Sequence, residues 1–205
     1  MERNSNGEAS VIGVTWDYSE RAKTYDKRAN YSSDAISSVL KNMSCVPNNA
    51  VADIGAGTGK LTIPLIKWGL NVHGVEPNDN MRSIGIDNTN NLNVTWHKGT
   101  GEKTGLAPTF FQSVFFGSSF NVVNQKLALK EVKRLLLPHG WFACMWNYRD
   151  LNDPLQKEIE SIIRISIPNY DYGTRRQCPS DIINASCLFG EIHSIEKSFS
   201  VAKEI

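Results

Sequence analysis

Apolar runs of strand length alternate along this chain with segments of helical period, and that alternation predicts its elements. Between Ser32 and Met43 the apolar positions 35, 36, 39, 40 and 43 lie on one helix face. Pro47, Asn48 and Asn49 mark a turn, and a β-prone run over 50–54 follows. Thr58 or Gly59 opens a helix that runs through Trp68 and ends near Gly69. Residues 70–76 read as a second strand, and Pro77, with Asp79 close behind, starts the next helix. A third strand fits 91–98, with a loop at 99–102. The run 110–116 suits a central strand buried on both faces. Residues 124–137 form an amphipathic helix stopped by Pro138, His139 and Gly140, and 141–146 is another apolar strand. Helical spacing returns at 153–165 and 179–187, and 191–201 alternates weakly, as a late strand would. Strands alternating with helices predict an α/β fold of three layers, doubly wound around a mostly parallel sheet.

Composition narrows the class of protein. The 205 residues fit one domain with a full core, without internal repeats. Residues 1–14 read as a disordered polar lead, and 15–205 as a single domain that begins with a helical lid. The 22 basic and 21 acidic side chains nearly balance, which argues against nucleic acid as the main partner. There is no apolar run of membrane-spanning length and no secretion signal at the N-terminus, so a cytoplasmic protein is expected. Cys45, Cys144, Cys178 and Cys187 include no C-x-x-C pair and read as reduced thiols. His73, His97, His139 and His193 show no metal-ligand spacing, so no metal is expected.

The candidate chemistry lies in Val51-Ala-Asp-Ile-Gly-Ala-Gly-Thr-Gly-Lys60. Asp53 precedes glycines at 55, 57 and 59, and Glu76 ends the next strand. Glycine permits positive φ and carries no Cβ, so a ligand can press against bare backbone there. An acid ending the second strand is placed to bind the two hydroxyls of a ribose. The spacing is G-x-G-x-G, not the G-x-G-x-x-G of dinucleotide sites, and no phosphate-loop motif is present. An acid beside the turn repels a pyrophosphate and suits an ammonium group. S-adenosyl-L-methionine has an ammonium, a sulfonium and a ribose but no phosphate.

This pairing resembles motif I and the following acidic motif of class I S-adenosylmethionine-dependent methyltransferases. Tyr25-Asp-x-Arg28-x-x-Tyr31 resembles the N-terminal segment of their type 11 small-molecule group. Leu136-Leu-Pro-His-Gly-Trp-Phe-Ala143 resembles the element before strand 5, and Trp146-Asn-Tyr-Arg-Asp150 resembles a strand end in relatives of trans-aconitate methyltransferase. The resemblance implies S-adenosylmethionine as cofactor and a small-molecule acceptor methylated by in-line displacement. The cofactor residues it implies are Tyr25, Arg28, Asp53, Gly55, Ala56, Gly57, Thr58, Gly59, Glu76, Pro77, Met81, Thr100, Gly101, Glu102 and Ser118. Asn121, Trp146 and Asn147 are the implied acceptor residues, and Asn121 and Tyr18 the catalytic candidates.

Two departures stand out. Several relatives have a histidine where this chain has Asn121, which cannot act as a general base at neutral pH. The fold usually ends in a two-stranded hairpin, whereas one late strand is in view, so the hairpin reads as incomplete and the chain as truncated. The competing readings are a domain that binds S-adenosylmethionine without catalysis and a nicotinamide-dependent oxidoreductase.

Overall fold

The computed structural model describes residues 28–167, 169–170 and 178–200. Five parallel strands form one sheet in the order β3-β2-β1-β4-β5: β1 Ala50–Ile54, β2 Asn71–Val75, β3 Val94–His97, β4 Phe111–Gly117 and β5 Leu136–Met145. The chain steps outward from β1 to β3, then returns to the other side of β1 for β4 and β5. That reversal opens a crevice at the carboxyl ends of β1 and β4, where ligands bind in open α/β sheets.

Two apolar clusters sandwich the sheet. On one face α1 (Ser33–Asn42) and α2 (Thr62–Lys67) bury Ile36, Leu40, Leu61 and Leu65 against Val51, Val72 and Phe115. On the other, α4 (Gln125–Leu135) buries Ala128, Leu129, Val132 and Leu135 against Ala52, Val114 and Phe116. Ile182 and Ile183 of α6 (Ser180–Ser186) pack on that second cluster. Both faces of β1 and β4 are therefore covered, as their unbroken apolar runs require. Polar side chains cap the helices: Ser32 Oγ accepts from Ala35 N–H, and Asn124 Oδ1 from Leu127 N–H.

The helix α3 (Asp79–Asn88) approaches the sheet unusually closely. A Cβ at Gly85 would lie 2.4 Å from the Trp96 ring and 2.9 Å from the Gly57 carbonyl oxygen. A Cβ at Gly74 would lie 3.0 Å from the same ring. The Trp96 indole N–H donates to Thr89 Oγ1 at 2.9 Å, which fixes the ring under α3.

Three elements differ from the sequence expectation. The second helix runs from Thr62, not from Thr58 or Gly59, because the glycine turn continues through residue 61. The proposed break at 138–140 lies inside β5, as an irregularity where Phe111 pairs with Leu136 and Ser113 with Trp141. His139 there adopts φ +61°, so the turn chemistry is spent on a bulge. The late strand is a correction: residues 191–200 are in neither strand nor helix, and Val201 lies outside the described residues. His193 touches Trp141 edge-on, yet Ile192, Ile195 and Phe199 remain more than a third exposed. Weak alternation that buries no continuous face does not stabilise a strand. The proposed disordered lead at 1–14, and the lid apart from residues 28–31, lie outside the described residues.

The close approach of α3 yields a prediction. Gly85→Ala improves intrinsic helix propensity, yet it is expected to destabilise the protein by about 1–3 kcal/mol through overpacking against Trp96 and Gly57. Urea denaturation of the variant is the check; equal or greater stability would refute the packing argument.

Candidate active site

The glycine turn crosses the crevice directly after β1. Gly55, Gly57 and Gly59 have φ of +69°, +58° and +89°. The Gly55 and Ala56 N–H groups donate to the Val75 carbonyl at 2.8 and 3.0 Å, which ties the turn to the end of β2. A Cβ on Gly55 would lie 2.5 Å from Ser119 Cβ, and Ser119 Oγ donates to the Ile54 carbonyl at 2.6 Å. The end of β4 thus braces the end of β1. Ala56, Gly57, Thr58 and Gly59 are buried, so the turn is held at its back by protein.

Glu76 follows β2 and is 8% exposed. Its Oε2 accepts from Gly57 N–H and its Oε1 from Asn78 N–H, both at 2.9 Å. Asn78 in turn caps α3, accepting from the N–H groups of Asn80 and Met81. Burial pushes the Glu76 carboxyl above its ordinary range, while the two amide bonds and Arg82 pull it back. A carboxylate has about four lone-pair sites. Each Glu76 oxygen spends one on an amide, which leaves one more on each for a pair of vicinal hydroxyls.

Asp53 lies at the root of the turn, 1% exposed, with Oδ2 accepting from Thr62 Oγ at 2.7 Å. Its carboxyl is raised to about 7, first by burial and further by the charge of Glu76, against the pull of the Thr62 hydroxyl. A cation at this turn would relieve both carboxylates. The two carboxylates therefore fit a ligand with an ammonium at one end and a ribose at the other.

The remaining predicted cofactor residues divide by position. Met81 is buried beside the turn, its Cε 3.2 Å from where a Gly57 Cβ would stand, whereas Pro77 is exposed. Thr100 closes a turn with Lys103. Gly101 is buried, and a Cβ there would meet Val123 at 2.9 Å. The Glu102 carboxylate accepts from Asn124 N–H at 2.6 Å, so it joins the loop after β3 to the start of α4. Ser118 hydrogen-bonds Tyr31 across 2.9 Å. Arg28 is exposed, and Tyr18 and Tyr25 lie outside the described residues.

Beyond the ends of β4 and β5, Trp146 Nε1 donates to Asn121 Oδ1 at 3.4 Å. The Tyr148 ring runs nearly parallel to that of Trp146, at a centroid distance of 6.5 Å. Asn147 donates to the Ala29 and Asn30 carbonyls at 3.3 and 3.0 Å. His73 and His97 are bonded to one another at 3.0 Å beside Phe110 and Phe111. Burial lowers the pKa of both rings. Among the described residues no group of three metal-ligating side chains occurs.

Sequence reasoning missed Thr62, Asn78 and Ser119. Asn78 was findable as a helix-capping residue one position after Pro77. Thr62 was findable as a hydroxyl at the start of the helix after the turn. Nothing local marks Ser119, whose contact spans 65 positions of sequence.

The raised Asp53 pKa carries a stability prediction. The folded protein holds a proton that the unfolded chain, with an ordinary carboxyl near 3.8, has released. That contribution is complete below about pH 4 and is lost as the pH rises through about 7. Asp53→Asn is expected to flatten the fall in stability between about pH 4 and 7. Denaturant midpoints of both proteins at several pH values test it; parallel curves would show that Asp53 titrates normally.

Comparison with known proteins agrees with this geometry. Residues 52–144 match the family described as "Methyltransferase domain", of type 11. An uncharacterized methyltransferase of Mycobacterium tuberculosis is 34% identical over 116 residues, covering 55% of this chain and 46% of that protein. A ubiquinone/menaquinone biosynthesis C-methyltransferase of Caulobacter vibrioides is 24% identical over 158 residues, covering 68% of this chain and 62% of that one. The chain thus spans about half the length of the mycobacterial relative. A candidate S-adenosyl-L-methionine-dependent methyltransferase from Methanococcus maripaludis superposes with a TM-score of 0.64 at 16% identity, over 83% of this chain and 82% of that one, and shares the fold. With its glycine turn, its strand-end acid and a sheet of this order, the chain is similar over residues 52–144 to the methyltransferase domain family of type 11.

Proposed function

We propose that this protein transfers a methyl group from S-adenosyl-L-methionine to a small-molecule acceptor by in-line displacement. The observation that carries the reading is the buried Glu76 carboxylate held against the Gly57 amide, with Asp53 behind the same turn. The cofactor supplies an activated methyl group and a neutral leaving group, so the protein's task is alignment. Glu76 accepts the ribose hydroxyls and Asp53 faces the ammonium. Gly101 and the loop around it border the base, while Glu102 serves that loop by anchoring it to Asn124.

The acceptor side has Asn121 and Trp146, joined by their hydrogen bond. Asn147 spends its amide on the backbone of residues 29 and 30, which leaves Asn121 the stronger polar candidate. An amide can orient an acceptor but cannot remove its proton, so an acceptor already ionised, such as a carboxylate oxygen, suits this edge best. Balanced charge favours a metabolite over nucleic acid. Among the described residues no helix is long and apolar enough to cross a membrane, and we place the reaction in the cytoplasm.

Two outcomes follow. Glu76→Ala is expected to weaken S-adenosylmethionine and S-adenosylhomocysteine alike by about 1.5–3 kcal/mol, the loss of charge-assisted hydrogen bonds. Calorimetry showing unchanged affinity would remove Glu76 from the ribose site. Incubating a metabolite extract with methyl-labelled S-adenosylmethionine should yield a labelled small molecule, and Asn121→Ala should lower its formation several-fold at unchanged cofactor affinity. Label appearing preferentially in RNA or protein would overturn the acceptor class, and cofactor binding without any labelled product would favour a non-catalytic domain.

A further inference from the structure

Glu76 is bonded at every polar atom it has. Its N–H donates to the His97 carbonyl at 3.1 Å, which ties it to the end of β3. Its carboxylate accepts from the Gly57 and Asn78 amides. Its carbonyl accepts from Arg82 Nη1 at 2.9 Å. Of these partners Arg82 alone contributes a side chain, and with it the one full charge in the set.

The first turn of α3 places that charge. Asn78 caps the helix and bonds Glu76 Oε1, and the Arg82 N–H donates to the Asn78 carbonyl at 3.0 Å. The guanidinium reaches back over this turn to the residue at the end of β2. Its Nη2 pairs with Asp79, which also pairs with Lys98, beyond β3, at 2.9 Å. The Arg82 side chain is 18% exposed, whereas Asp79 and Lys98 are 63% and 64% exposed, so solvent screens the outer pair more than the inner contact.

The other charged groups near the turn act elsewhere or have the opposite sign. Asp53, at the root of the turn, is a second acid. Lys60 donates to Asn30 Oδ1, Glu102 accepts from Asn124, and the His97 ring is bonded to His73. Arg82 is thus the cation that acts on Glu76, and its charge opposes the burial that raises the Glu76 carboxyl. The charge state matters because an ionised carboxylate only accepts, whereas a protonated one puts a hydrogen on one oxygen and loses acceptor capacity there. We propose that Arg82 is a positioning residue for the cofactor, whose guanidinium holds Glu76 by its carbonyl and keeps its carboxylate able to accept both ribose hydroxyls at neutral pH. The proposal rests on the methyltransferase reading.

Arg82→Gln tests this, because its amide can still donate while the charge is gone; Arg82→Lys keeps the charge. Calorimetry measures S-adenosylhomocysteine binding to wild type and both variants between about pH 5 and 9. Ionisation of the ligand is common to all the proteins, and repeating the series in an Asp53→Asn background removes the second carboxyl. Melting temperatures confirm folding, and Arg82→Met is the second neutral variant. Arg82→Gln is expected to bind within about twofold of wild type at the alkaline end and about five- to tenfold more weakly near pH 6, in both backgrounds. Arg82→Lys should follow the wild-type profile. In Glu76→Gln, which has no carboxyl to titrate at that position, adding Arg82→Gln should leave the pH profile unaltered.

A loss that is uniform across the pH range would mean that Arg82 only braces the loop, and unchanged affinity would remove it from the site. A lysine variant that behaves as the glutamine variant does would show that the charge is not what acts. Each of these overturns the inference alone. A wild-type protein that binds neither S-adenosylmethionine nor S-adenosylhomocysteine at any pH would overturn the functional reading and the inference with it.

Discussion

The site depends on one carboxylate. Glu76 receives the Gly57 amide from the turn after β1 and the Asn78 amide from the start of α3, so a single side chain ties these two segments together. A buried carboxylate is costly unless hydrogen bonds compensate it. Here the compensating donors are backbone amides, which every residue except proline supplies, and each carboxylate oxygen keeps capacity for a further hydrogen bond. Asp53 lies close enough for the two charges to disfavour one another, a repulsion that a cation at the turn would relieve.

Behind the turn, close packing does the positioning. Trp96 lies against Gly74 and Gly85, and Gly85 leaves α3 near the Gly57 carbonyl. Ser119 plays the same part from the other side, bonding Ile54 and occupying the space a Gly55 side chain would need. The glycines therefore serve two ends: Gly57 and Gly59 supply positive φ, and Gly55 adds the room for β4 to press against β1.

Away from the crevice the structure is looser. The helix Pro154–Ser166 (α5) buries Glu160 between Arg149 and Arg164, and leaves Leu155, Ile162 and Ile165 exposed. One tie of this helix to the rest is the Arg149–Glu160 ion pair, and such pairs contribute less than burial of apolar side chains would.

The order of elements, the parallel sheet, the glycine turn and the acid after β2 were legible in the sequence. Each is encoded locally, by the period of apolar positions or by residues that allow a specific backbone conformation. The late strand was not legible, since alternation at 191–200 is necessary for a strand but supplies no neighbour to pair with. Pro138 to Gly140 signalled a break and became a bulge, because the sheet beyond it could still pair. Tertiary structure alone decided the contacts of Tyr31 with Ser118, of Asn147 with the backbone of residues 29 and 30, and of Ser119 with Ile54. Those groups lie 65 to 118 positions apart, and a hydrogen bond between them exists only once packing has brought three strand ends to one edge.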